Sequence, residues 1–197
     1  RTFYGRDGGK VDDRYLANVF GAFRTTMEEH IPTSVITDWQ MNLADLEGYR
    51  VVVMPNTACL SSAQAAALRE YVRRGGGLVA TVDTSLFDET SAPRTDFALA
   101  DVFGLSYKGV PSTAKGSVGR PETGFADNLS GDYWEKRVNA FDFQLGESRL
   151  FDEERLKAYC GKSSVVFKGM ATAVGDLRDG AEQIASLRTR ENLWEPS

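Results

Sequence analysis

Apolar positions change their spacing several times between Arg14 and Leu105, and each change predicts an element. From Arg14 to His30, the residues Tyr15, Leu16, Val19, Phe20, Phe23 and Met27 recur every three or four positions. That is the period of an amphipathic helix, with Asp12 or Asp13 placed to cap its start. Ile31-Pro32 stops the helix, Ser34 to Thr37 is a strand candidate, and Leu43 to Leu46 predicts a short helical turn. Val51 to Met54 is a continuous apolar run closed by Pro55 and Asn56, the pattern of a parallel strand buried on both faces. Ser61 followed three residues later by Gln64 predicts a capping box, after which Ala67, Leu68, Tyr71 and Val72 fall on one helical face. Arg73 and Arg74 complement the dipole of the last turn, and Gly75 supplies the left-handed residue that ends it. Leu78 to Val82 is a second buried strand. A helix between two apolar strands predicts a right-handed β-α-β crossover with the strands parallel.

Further along, Phe97, Leu99, Ala100, Val102 and Phe103 predict a short helix ended by Gly104, and Ser106 to Val110 an edge strand. Pro111 to Gly131 has the composition of a long surface loop. Tyr133 to Leu150 is aromatic, with no clear helix or strand period, and is expected to pack back onto the body. Asp152 to Tyr159 suits one or two helical turns. Ser163 to Phe167, Met170 to Val174 and Gln183 to Leu187 are short apolar or alternating runs separated by Gly169 and by Asp176 to Gly180, and read as antiparallel strands. The expected division is an α/β core over residues 1–110, a loop and aromatic segment over 111–160 packed on that core, and a C-terminal β segment over 161–197 of the same domain.

Composition narrows the function classes. The net charge of −5 disfavours a nucleic-acid surface and gives no attraction to an anionic membrane. The longest apolar runs are strand-sized and the start of the chain lacks a signal-peptide core, so the expected location is the cytoplasm. Two cysteines, Cys59 and Cys160, are too few for a disulfide scaffold and are badly spaced for zinc.

Ligands in open α/β sheets bind where the parallel strands end, which directs attention to Asn56, Thr57 and Cys59 after the first strand and Asp83, Thr84 and Ser85 after the second. Neither loop carries a glycine-rich phosphate cradle or a nucleophile elbow. Cys59 needs an imidazole to act as a nucleophile, and the single histidine, His30, lies at the end of the first helix. Small packing residue and helix-end residue are the simpler roles for the two. Asp83, Asp88 and Glu89 are the one acidic cluster near a strand end, where a glycosidase would need two carboxylates roughly 5 to 10 Å apart. Turn capping and pairing with Arg94 explain them with fewer assumptions. No metal or cofactor is expected. Tyr133, Trp134, Phe141 and Phe143 are loop anchors or interface contacts.

The helix Tyr15 to His30 with Ile31-Pro32, the segment LEGYRVVVMPNTACLSSAQAAALREYVRRGGGLVATVDTSLFDE, and DFALADVFGL from Asp96 to Leu105 together cover about half the chain. In these pieces the sequence resembles the glutamine-amidotransferase-like domain of glycoside hydrolases, best known as the trimerisation domain of family 42 β-galactosidases. The resemblance implies a flavodoxin-like, three-layer α/β/α fold with a mostly parallel sheet, followed here by the antiparallel C-terminal segment. It also implies that catalytic carboxylates lie on a (β/α)-barrel of the parent protein, outside this chain. Two departures stand out: the first parallel strand that would precede Arg1 is absent or reduced, and the chain ends where final strands are expected, as in an excised or incomplete module.

The reading that follows is a non-catalytic domain acting in homo-oligomer assembly or in shaping a carbohydrate site on a neighbouring domain. Its rival is a stand-alone small enzyme or sugar-binding protein that uses the crevice at Asn56, Asp83, Thr84 and Ser85.

Overall fold

Parallel pairing of β1 (Val51–Met54) with β2 (Gly77–Ala80) is the element around which the first half of the chain is arranged. The register places Val51 beside Gly77, Val52 beside Leu78, Val53 beside Val79 and Met54 beside Ala80. The computed structural model describes residues 16–109, 138–145 and 165–189. Before the sheet come α1 (Ala17–Glu28), a 3₁₀ turn (Asp38–Gln40) and α2 (Leu43–Leu46). Asp12 and Asp13, the expected helix caps, lie outside the described residues.

The connection between the strands is α3 (Ser62–Arg73), and its ends are built as the sequence predicts. The Ser61 hydroxyl accepts the Gln64 N–H at 3.2 Å while Gln64 Oε1 accepts the Ser61 N–H at 2.9 Å. At the other end Gly75 has φ +99°, and the N–H groups of Gly75 and Gly76 return to the carbonyls of Val72 and Tyr71. These two bonds satisfy carbonyls that the last turn would otherwise leave open. Gly76 meets a second requirement: a Cβ there would lie 2.2 Å from the Tyr71 ring. That ring is buried, with its hydroxyl donating to the Tyr49 carbonyl at 3.0 Å.

One apolar cluster joins Leu46 of α2, Val52 and Met54 of β1, Leu60 of the following loop, Ala65, Leu68 and Tyr71 of α3, and Leu99. A second gathers Ala58, Leu86, Phe87, Phe97, Ala100 and Tyr107, with the Phe97 ring edge-on to Phe103 at 5.7 Å and to Tyr107 at 5.6 Å. The first cluster covers one face of the sheet only. Val51 is 52% exposed, Val53 42% and Val79 47%, so the expectation of strands buried on both faces is corrected. A continuous apolar run states that both faces of a strand avoid water; it does not state that both covers are in place. A further apolar surplus is on α1, which buries no residue and leaves Phe20 61%, Phe23 37% and Met27 52% exposed.

Ser34 to Thr37 also departs from expectation. It is no strand: Thr37 is extended (φ −108°, ψ 169°), but its N–H and hydroxyl both donate to Gln40 Oε1, at 3.0 and 2.9 Å, opening the 3₁₀ turn. Local β-branching produces an extended backbone, whereas a strand needs a lateral neighbour.

After β2 the chain forms α4 (Ala100–Phe103), which ends at Gly104 as predicted, and β3 (Ser106–Gly109). The later strands are β4 (Val138–Leu145), β5 (Val165–Met170), β6 (Ala173–Gly175) and β7 (Ala185–Thr189). β4 is central to an antiparallel sheet of order β5-β4-β7, and β6 pairs antiparallel with β3. The antiparallel character of the tail therefore matches its sequence. β4 was not anticipated, although Phe141-Asp142-Phe143-Gln144-Leu145 alternates apolar and polar residues as a strand does. Lys108 pairs with Asp176, and the Arg178 N–H donates to the Gly104 carbonyl at 2.9 Å, tying the tail to the first half.

Gly76→Ala should lower the unfolding free energy by about 1–3 kcal/mol, the cost of forced overpacking. Tyr71→Leu in the same chain should recover part of that loss, because it removes the atoms the new methyl meets. Urea unfolding of the two single variants and the double variant measures this. Glu70 accepts from both Arg73 and Arg74, whose hydrogen bonds pull its pKa from 4.5 down to about 2. The depressed pKa means a stabilising contribution present in full above 4.5 and lost as pH falls towards 2. Melting temperatures of wild type and Glu70→Gln should therefore differ slightly at neutral pH and converge towards pH 2. High salt should also shrink the difference at neutral pH, because the pair is at the surface.

Candidate functional site

The crevice named by the sequence is the place where β1 and β2 end, and the structure fills it with a polar lock. Asn56 leaves β1 with φ +53°, a conformation its short amide side chain tolerates. Its N–H donates to the Thr81 hydroxyl at 3.0 Å, and its Oδ1 accepts the Asp83 N–H at 3.2 Å. The Thr84 hydroxyl lies between the carbonyls of Thr81 (2.8 Å) and Met54 (3.0 Å) and accepts the Thr57 N–H at 3.1 Å. Beyond these side chains the two loops resume parallel contact. Ser85 N–H donates to Thr57 O, Phe87 N–H to Ala58 O, and Leu60 N–H to Phe87 O, with Cys59 bridged to Phe87.

This geometry places Asn56, Asp83, Thr84 and Ser85 at 0–1% exposure. They lie together, as their spacing suggests, but are buried, and the Ser85 hydroxyl oxygen accepts the Leu99 N–H at 3.4 Å. Asp83 Oδ1 accepts from the Thr172 hydroxyl at 2.9 Å, a bond spanning 89 residues that joins the strand end to the turn before β6. Sequence reasoning did not single out Thr172, and no local signal marks it. The sharp turn is made by Val82, at φ +53°, one residue before Asp83-Thr84-Ser85. A β-branched residue in that region is strained by about 1–3 kcal/mol, and its side chain has no nucleophilic atom.

Cys59 is half-buried, its thiol donating to Ser91 Oγ at 3.7 Å. Burial pushes its pKa up, which lowers the thiolate fraction that nucleophilic chemistry requires. His30 closes α1 with φ +56° and donates its N–H to Met27 O. Asp88 caps its own loop. Its Oδ1 accepts from the Thr90 hydroxyl and from the N–H groups of Thr90 and Ala92 at 2.7–2.9 Å, and these bonds, the Thr90 hydroxyl first, lower its pKa. Glu89 is exposed, and Arg94 reaches the Leu60 carbonyl at 2.9 Å. Among the described residues no group of three or more His, Cys, Asp or Glu is placed to hold a metal ion, and no helix is long and apolar enough to cross a membrane.

A cleft of about 690 Å³ opens beside the lock, between β2, α4 and β6. Leu78, Ala80, Phe103, Leu105 and Val174 line it, with the threonines at 81, 84 and 172, and its described lining carries no charge. Thr84 and Thr172 are the points at which the lock touches this cleft. Tyr133 and Trp134 lie outside the described residues; Phe141 and Phe143 occupy alternate positions of β4, opposite Phe167 and Val165 of β5.

Residues 7–177 match the family described as the beta-galactosidase trimerisation domain. The chain belongs to that family. A search of curated proteins found no match.

Thr172→Val should destabilise the fold by about 1–3 kcal/mol, because it takes a donor from a buried carboxylate. In a double-mutant cycle with Asp83→Asn the losses should be less than additive, as expected for groups in direct contact. Additive losses in denaturant unfolding would show that the contact carries no coupling.

Proposed function

We propose that this chain is a non-catalytic trimerisation domain of a family 42-type glycoside hydrolase, which holds subunits together and forms a wall beside a carbohydrate site on a neighbouring domain. The family match over residues 7–177 is the observation that carries this reading. The closed crevice supports it. A glycosidase needs two carboxylates that touch the sugar, yet Asp83 is buried against Thr172 and Asp88 is committed to its own loop. A glutaminase needs a thiolate beside an imidazole, whereas Cys59 faces Ser91. On this reading the catalytic carboxylates belong to a (β/α)-barrel of the same parent polypeptide.

The same proposal extends to the architecture. The plan is flavodoxin-like, with helices intended for both faces of the parallel sheet; α2 and α3 supply one layer, and the Val51/Val53/Val79 face awaits the other. The tail from residue 161 onward belongs to the same domain as residues 1–110, a reading supported by the β3–β6 pairing and the Asp83–Thr172 bond.

Light scattering on the purified chain across a dilution series should give three times the monomer mass at high concentration, and assays for glycoside and glutamine hydrolysis should give no turnover. A monomer at all concentrations would remove the assembly role. Ammonia release from glutamine that is lost in Cys59→Ala would overturn the non-catalytic assignment.

A further inference from the structure

Two apolar surfaces in this chain are exposed at once, and the helix is long enough to span the strands. Phe20, Phe23 and Met27 lie at i, i+3 and i+7, one stripe along α1, continued by Ile31 and Val35 in the following extended segment. Val51, Val53 and Val79 share the uncovered face of the β1–β2 sheet, with Val53 and Val79 side by side in register. A 12-residue helix is about 18 Å long and a four-residue strand about 13 Å, so the stripe spans the face.

We infer that the occupant of this sheet face is α1 of a second copy of the chain. This rests on the assembly role proposed above and specifies which surfaces perform it. In the structure α1 leaves the face of its own sheet open, since both partners remain about half exposed. The area is sufficient: eight side chains near half exposure, at about 150–200 Å² each, offer roughly 600–800 Å² of apolar surface. Interfaces are about 56–65% apolar, so the contact would bury on the order of 1,000–1,300 Å² in all, which reaches the size of a specific interface. The contact is also of the right symmetry. A three-fold ring needs an interface whose two sides differ, and helix against sheet is such a pair. Three α1 stripes packed on one another would use the helices but leave the valines in water, and each helix has under two heptads, too few for a stable coiled coil alone.

The test uses the whole chain with Cys59→Ser and Cys160→Ser as background. Phe23→Cys is placed in one preparation and Val53→Cys in another, and the two are mixed with a short bismaleimide. The expected result is a cross-linked pair that forms only in the mixture, with Phe20→Glu and Val53→Glu each reducing the assembled mass at least tenfold in population. α1 buries no residue and Val53 is 42% exposed, so neither charge should unfold the chain, which circular dichroism checks. Cross-linking within single chains of a Phe23→Cys/Val53→Cys double variant at high dilution, with none between chains, would assign α1 to its own sheet and overturn the inference. A trimer that survives both glutamate substitutions would also overturn it while leaving the assembly role intact. A monomer at every concentration would defeat both.

Discussion

The Thr84 hydroxyl, set between two carbonyls and a backbone N–H, is the interaction on which the first half of this structure depends. Two parallel strands diverge at their ends unless something spans them, and the polar groups exposed there must be satisfied. Here Thr84, with Asn56 and Thr81, bridges the gap, and the loops then rejoin through Ser85, Phe87 and Leu60. The consequence reaches the chemistry. A sheet edge that usually receives ligands is closed by the protein's own side chains, and its acidic and thiol groups are engaged with Thr172, Ser91 and the Asp88 loop.

Strain at Val82 fits the same account. The chain must reverse sharply after β2 for Asp83 to present its N–H to Asn56 and its carboxylate to Thr172. The cost of a β-branched residue at positive φ is offset by a set of buried hydrogen bonds that over-determine the turn. Through Thr172 this turn also meets the tail, so the first and second halves of the chain share one buried polar centre.

Uneven burial of the sheet is the complementary feature. Leu46, Leu68 and Tyr71 cover Val52 and Met54 on one face, while three valines on the other face and a stripe along α1 remain in contact with water. Contiguous exposed apolar patches commonly mark interaction sites. The assembly role proposed above would give those surfaces a use.

How much of this was legible in the sequence depended on the range of the interactions. The capping box at Ser61 and Gln64, the left-handed stop at Gly75, the helix end at Gly104 and the parallel β1–β2 unit were all readable, because each rests on residues a few positions apart or on one apolar period. The loops holding the candidate residues were readable as well, since they follow from strand ends. Tertiary structure alone decided what those residues do. Whether Asp83 faces a ligand or Thr172 is settled by a contact across 89 residues, and no local pattern encodes it. The same limit applies to Ser34–Thr37 and to the exposed valines: sequence specifies an extended or apolar segment, but only the presence of a neighbour makes it a ladder or a buried face.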